Sequence, residues 1–196
     1  MWDERYNVEH YVYGTDPNQF LEQNIDRLPQ GEVLCLAEGE GRNAVFLARR
    51  GYQVTAVDAS AVGLAKAERL AAEHRVRIGT IRTDLADYDL GDERWDAVVS
   101  IFAHVPPPIR ARLHGQMRQA LKPGGVLLLE AYTPAQIGRG TGGPSAPEMM
   151  MSATQLREEL TGLHFQHLQE LERDVVEGEF HTGRASVVQL IAEQPR

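Results

Sequence analysis

The sequence predicts an α/β fold, a doubly wound and mostly parallel sheet that finishes in an antiparallel hairpin. Three observations carry this expectation. Short apolar runs alternate with helical patterns along residues 33–132, the rhythm of strand-helix-strand units joined by right-handed crossovers. The first run, Val33-Leu-Cys-Leu36, leads into Gly39 and Gly41 and then a helix, the order that lines the ligand crevice of an open sheet. Two last runs, Phe165 to Val176 and Arg184 to Ala192, are joined by Glu177 to Gly183, a connection short enough only for antiparallel neighbours.

The 196 residues suffice for a single domain, residues 1–196, with its own core, and 42% hydrophobic against 24% charged residues excludes a disordered or fibrous chain. A net charge of -8, with arginines scattered among acids, argues against nucleic acid, whose phosphates demand a basic face. Cys35, the only cysteine, lies inside the first strand pattern and reads as a small buried hydrophobe. The opening Met-Trp-Asp-Glu-Arg-Tyr lacks the blocks of a signal peptide and no run reaches a membrane span, so a cytoplasmic protein without a membrane partner is expected. No His, Cys and carboxylate cluster has metal-ligand spacing, and no metal is expected. Nothing in the pattern bears on oligomeric state.

Taken in order, the first fifteen residues carry Trp2, Tyr6, Tyr11 and Tyr13, an aromatic density that suits a lid or an anchor. Asp16 is placed to cap a helix with Pro17 at its first position and Phe20, Leu21, Ile25 and Leu28 on its apolar face. Arg42 to Arg50 reads as a helix stopped by Gly51. The second strand, Gln53 to Val57, ends at Asp58, and Ser60 caps a helix through Glu73. Val76 to Arg82 is a third strand, ending at Thr83-Asp84-Leu85. Trp95 to Phe102 is apolar almost throughout, as a strand covered on both faces requires. A helix from Pro106 to about Leu121 precedes Lys122-Pro-Gly-Gly125 and the strand Val126 to Tyr132. The Gly- and Pro-rich residues 137–151 suit a substrate or lid loop, and Ser152-Ala-Thr-Gln155 forms a capping box for a short helix.

The glycine turn is ambiguous, because Gly39-Glu-Gly-Arg-Asn-Ala44 also fits the dinucleotide pattern G-x-G-x-x-G/A, so an NAD-dependent oxidoreductase stands as an alternative. Either cofactor would use Asp58, nineteen residues after Gly39, as an acceptor for two ribose hydroxyls. Asp84 at the end of the third strand, Lys122 to Gly125 before the fifth and the terminal hairpin separate the two. With these features the chain resembles the class I S-adenosylmethionine-dependent methyltransferases over residues 31–192. Trp2-Asp-Glu-Arg-Tyr6, Gly41-Arg42-Asn43 and Thr141-Gly-Gly-Pro144 look most like small bacterial enzymes related to the tellurite-resistance and thiopurine methyltransferases. Three positions of the broad family's first motif differ, at Cys35, Ala37 and Glu38.

The resemblance implies a Rossmann-like seven-stranded sheet, S-adenosyl-L-methionine as cofactor and methyl transfer to a small-molecule acceptor. It also implies that Gly39, Gly41 and Asn43 cradle the cofactor, that Asp58 with Ala59 holds the ribose and Asp84 with Leu85 the adenine. Ser100 to His104 would form the floor beneath the methionyl part. Glu38 would approach the ammonium group or begin the turn. A soft nucleophile such as a thiol or chalcogen oxyanion needs only positioning, whereas an alcohol or amine needs a proton acceptor, for which His104 is the candidate. Tyr132, Arg139 and His181 are candidates for contacting the acceptor, and Trp2 and Tyr6 for closing the site. A cofactor-binding accessory domain without turnover is the remaining alternative, motivated by the departures at Cys35 and Ala37.

Overall fold

In the computed structural model, which describes residues 2–196, seven strands form one sheet: β1 (Glu32–Leu36), β2 (Gln53–Asp58), β3 (Gly79–Arg82), β4 (Trp95–Ile101), β5 (Leu121–Tyr132), β6 (His164–Val176) and β7 (Thr182–Glu193). Their order is β3-β2-β1-β4-β5-β7-β6. The first five are parallel, and β7 runs antiparallel to both β5 and β6. The chain reverses its spatial direction between β3 and β4, because β4 pairs with β1 on the side away from β2, and the carboxyl ends of β1 and β4 flank the resulting crevice.

Both faces are covered. Leu34, Leu36, Val98, Leu127 and Leu129 pack toward α5 (Pro107–Ala120) and α6 (Ala153–Glu159), joined by Leu113, Met117 and Leu156. The opposite face, with Val33, Cys35, Ala56, Ala97, Val99 and Leu128, meets α2 (Gln19–Gln23), α3 (Arg42–Ala48) and α4 (Ala61–Glu73) through Leu21, Phe46, Leu47 and Leu64. Burial on both faces explains the unbroken apolar character of β1, β4 and β5.

Most local signals act as their chemistry dictates, but β5 begins at Leu121 and takes in the Lys122 to Gly125 stretch expected to precede it, and two further elements differ. Ser60 caps α4 through Gly63 N, and Ser152 with Gln155 forms a complete capping box at α6. The helix expected to start at Asp16 starts two residues later: Asn18 is the cap, its Oδ1 taking Leu21 N–H at 3.0 Å, because this buried side chain also has partners across the fold. β3 is only Gly79–Arg82, shorter than the expected Val76 to Arg82, since it pairs on one side only. A five-residue helix, α1 (Trp2–Tyr6), lies at the amino end of the described residues. No described helix is long and apolar enough to cross a membrane.

Candidate active site

The turn after β1 is built by its own side chains. Ala37 adopts φ 49° and Gly39 φ 60°, folding the chain back so that Glu38 Oε1 accepts Ala44 N–H at 2.7 Å across the turn. Burial pushes Glu38 up to about 7, against the pull of the Ala44 and Asn43 amides and of Arg42. Gly41, at φ 91°, is the cap of α3, and a Cβ there would stand 2.5 Å from Ala67 Cβ of α4. Asp58, at the end of β2, divides its carboxylate between Gly39 N–H and Ser60 N–H, each at 2.8 Å, and burial raises its pKa against those two bonds. Each oxygen keeps a lone pair. Asp84 is exposed beyond β3 and spends one oxygen on Ala86 N–H at 2.8 Å.

A strap formed by residues 2–14 lies over this turn. Tyr6 is buried, and a Cβ on Gly39 would come within 2.6 Å of its hydroxyl. Asp3 Oδ1 accepts from Ser60 Oγ at 2.5 Å and Val62 N at 3.3 Å. Lys66, buried on α4, donates to the carbonyls of Tyr6, Val8 and His10 at 3.3, 3.1 and 2.6 Å and pairs with Glu40 of the turn. Glu40 in turn accepts Tyr13 N–H at 3.3 Å.

Beyond the strap, at the carboxyl ends of β4 and β5, five rings form a box. His181 meets Tyr13, Phe102 and Tyr132 at centroid distances of 4.6, 4.8 and 5.4 Å, and Tyr132 stacks on Phe102 at 4.5 Å and on His104 at 5.5 Å. Phe102 is held at φ 51°, an uncommon conformation for a bulky residue, at the point where the chain leaves β4 for the box. His104 Nε2 accepts Tyr132 N–H at 3.0 Å. Burial lowers His104 to about 4 and His181 to about 3, the latter helped by the charges of Arg42 and Arg5. Two buried polar atoms, Tyr132 Oη and His181 Nδ1, have no hydrogen-bond partner within the protein.

Under the box lies a buried ionic cluster. Glu130, fully buried, takes Arg173 on both oxygens, Asn18 Nδ2 at 2.9 Å and Gln189 Nε2 at 2.5 Å. Glu177 takes Arg42 Nη2 at 2.5 Å, Arg173 Nη2 at 2.9 Å and Asn18 Nδ2 at 2.8 Å. Two guanidinium groups neutralise two carboxylates that accept seven hydrogen bonds between them, the condition under which buried charge is tolerated. Asn18 N–H also donates to Asn43 Oδ1 at 2.8 Å, so the glycine turn, β5 and the β6–β7 hairpin meet in one network.

Residues 33–125 match the family model described as Methyltransferase domain. That stretch is similar to a methyltransferase domain. Among solved structures, the fold is similar to a protein studied for conversion of a disulfide bond into a thioacetal group during echinomycin biosynthesis (20% identity, TM-score 0.76, covering 99% of this chain and 91% of the other). It is also similar to TehB from Haemophilus influenzae (18% identity, TM-score 0.74, 98% of this chain), of which it spans 65%. An S-adenosylmethionine-dependent methyltransferase from Methanosarcina mazei aligns at 18% identity and TM-score 0.66 over 92% of this chain and 99% of its own. A search of curated proteins gives no significant match.

S-adenosylmethionine is the cofactor named for the Methanosarcina mazei protein. The turn suits that group: Asp58 and Asp84 offer free acceptor positions for hydroxyl and amino groups, and a Cβ at Gly39 would fill the cradle beneath Tyr6. Of the residues singled out from sequence, Glu38, Gly39, Gly41, Asn43, Asp58 and Ala59 gather at the turn, with Tyr6 above it. His104, Tyr132 and His181 come together in the box. Trp2 stacks on Tyr6 at 5.8 Å and remains 45% exposed. Ser100 and Leu85 face the α5 side, where they line a small cavity with Leu36, Ala103 and Val105. Arg139 is taken up by Glu172, at 2.5 Å, and by Ala135 O. Sequence reasoning passed over Lys66, Arg173 and the ionic role of Glu177, and it took in Phe102 only within the Ser100 to His104 floor. Only the aromatic density of the first fifteen residues hinted at one further member of the box, Tyr13.

Proposed function

We propose that the protein transfers the methyl group of S-adenosylmethionine to a small acceptor whose attacking atom is soft and arrives deprotonated, a thiolate or a chalcogen oxyanion. The weak basicity of the box carries this reading. Its two imidazoles, at about 3 for His181 and about 4 for His104, lie far below the range in which a base takes a proton efficiently at neutral pH. Burial also raises Tyr132, so its hydroxyl stays protonated. An alcohol or amine acceptor would find no matched base here, while a thiolate needs only alignment and exclusion of water.

When bound, S-adenosylmethionine supplies a methyl group already activated by a positive sulfur. The chain supplies the rest. Asp58 accepts from the ribose hydroxyls and Asp84 from the adenine amino group, while Glu38, committed to Ala44 N–H, braces the turn. Tyr6 and Trp2 close over it and exclude water. His104 acts as a positioning residue, its Nε2 fixing the Tyr132 amide, and His181 Nδ1 and Tyr132 Oη orient the acceptor. Arg139 ties the loop of residues 137–151 to β6. Sulfur chemistry in the description of one structural neighbour and the likeness to TehB support the choice of acceptor.

Methyl-labelled S-adenosylmethionine, incubated with thiols, selenite, tellurite, carboxylates, alcohols and amines at pH 7, tests the proposal. Label is expected in thiols or chalcogen oxyanions, at a rate that follows acceptor ionisation between pH 6 and 9. Transfer to an alcohol or amine in preference to every thiol and oxyanion would overturn it.

A further inference from the structure

Among the described residues, the rim of the box carries one cation that no carboxylate neutralises. Around the box, Arg42 and Arg173 are committed to Glu177 and Glu130, and Arg139 and Arg184 to Glu172. Arg5 of α1 makes no ion pair with another described residue. Its Nη1 donates to Tyr13 Oη at 3.0 Å, and its guanidinium carbon lies 4.7 Å from the Trp2 ring centroid and 5.3 Å from that of Phe180. Those two rings, 45% and 46% exposed, are two of the five large apolar side chains that the described residues leave exposed. A lone exposed arginine usually moves freely in water, but this one is held by a hydroxyl and two aromatic faces. Lys66 fixes the strap behind it through three carbonyls.

Tyr13 connects this cation to the box. The same side chain that accepts from Arg5 has its ring 4.6 Å from His181. A positive charge joined through Tyr13 to the ring of His181, on a chain of net charge -8, is a local reversal of sign beside the box. The Arg5 charge also contributes to the lowering of His181.

The geometry points to Arg5 as a specificity-determining residue that binds an anionic group, a carboxylate or oxyanion, carried by the acceptor at the end remote from its attacking atom. This rests on the acceptor site proposed above. The guanidinium offers planar paired donors to such a group, and the surrounding rings reduce competing water. No bond is made or broken at Arg5. Its contribution is to affinity and orientation.

Calorimetry on the protein saturated with S-adenosylhomocysteine, comparing 3-mercaptopropionate with 3-mercapto-1-propanol, reads this directly. The acid should bind about five- to tenfold more tightly than the alcohol, the scale of one partly desolvated charged hydrogen bond, and the ratio should shrink as salt is raised. In Arg5→Gln the ratio should fall to about one, and Arg5→Lys should restore part of it, with thermal melting checking that both variants fold. A ratio near one in the parent protein, or an unchanged ratio in Arg5→Gln, would overturn the assignment. Transfer assays on the same two thiols keep the two proposals apart. Equal methylation of both with no charge preference removes only the role of Arg5. A charge preference in binding without transfer to any thiol or oxyanion removes only the choice of nucleophile.

Discussion

Asp58 accepts the Gly39 and Ser60 amides, and in the proposed function the same carboxylate also accepts from the sugar of the cofactor. Asp58→Ala removes both services, and S-adenosylhomocysteine binding should weaken by about 2–3 kcal/mol, roughly 30- to 150-fold in Kd by calorimetry. An unchanged Kd would refute the ribose assignment. Gly39 is constrained from two directions, by φ 60° and by the Tyr6 hydroxyl 2.6 Å from any added Cβ. Gly39→Ala therefore costs about 1–2 kcal/mol in backbone strain and displaces Tyr6 from the turn, which should appear as a lower melting temperature together with weaker cofactor binding. Gly41 faces α4 at 2.5 Å, so its substitution should damage the packing of α3 on α4 and reduce stability first.

Among the elements, the strap depends on one side chain of α4. Lys66 combines three strap carbonyls with the buried Glu40 carboxylate, and Lys66→Met leaves that carboxylate without its cation. Removing one partner of a buried pair costs about 3–5 kcal/mol, so this variant should melt earlier. The strap should also become sensitive to trypsin at Arg5, which an intact strap would resist. Neither Lys66 nor Glu40 stood out in the sequence, because a lysine on an amphipathic helix ordinarily points to solvent, and only the folded strap reveals what it holds. The apolar runs of β1, β4 and β5 were legible, since burial on both faces leaves an unmistakable composition, as were the caps at Ser60 and Ser152. The box was legible only in part. His104, Tyr132 and His181 lie at strand or hairpin ends and attract notice there, whereas Phe102 owes its place to a positive φ and Glu177 to partners 135 and 159 residues away, Arg42 and Asn18. The shift of the helix cap from Asp16 to Asn18 has the same origin, because long-range partners decided between two adequate local caps.

For the molecule as a whole, buried titratable groups set opposing pH dependences. His104 and His181, at about 4 and about 3 against 6.5 for the free side chain, are kept neutral by burial, so the unfolded state binds more protons than the native state between those limits. The stability this confers is complete above pH 6.5 and declines as pH falls through about 4 and about 3. Glu38 works in the other direction: raised by burial to about 7 from 4.5, it contributes fully below 4.5 and loses that contribution as pH rises through about 7. Two protons against one leave a net loss of up to about 1.4 kcal/mol per pH unit on acidifying from 6.5 to 4.5. Glu159, at about 2 because the His114 and Arg110 hydrogen bonds outweigh its burial, steepens the loss below 4.5. Urea titrations between pH 4 and 7 should show this slope, and His104→Gln should flatten it. The strand order has a further consequence for how the chain is made. β7 inserts between β5 and β6, so the apolar outer edge of β5 has no partner until residues some fifty positions later have been synthesised. During that interval β6 is the only neighbour available, and its largely polar, half-exposed pattern gives it little reason to dock there. A nascent chain halted before Thr182 therefore presents a naked, strongly apolar ribbon edge, and truncations ending there are expected to aggregate, whereas the intact chain seals that edge with its last strand.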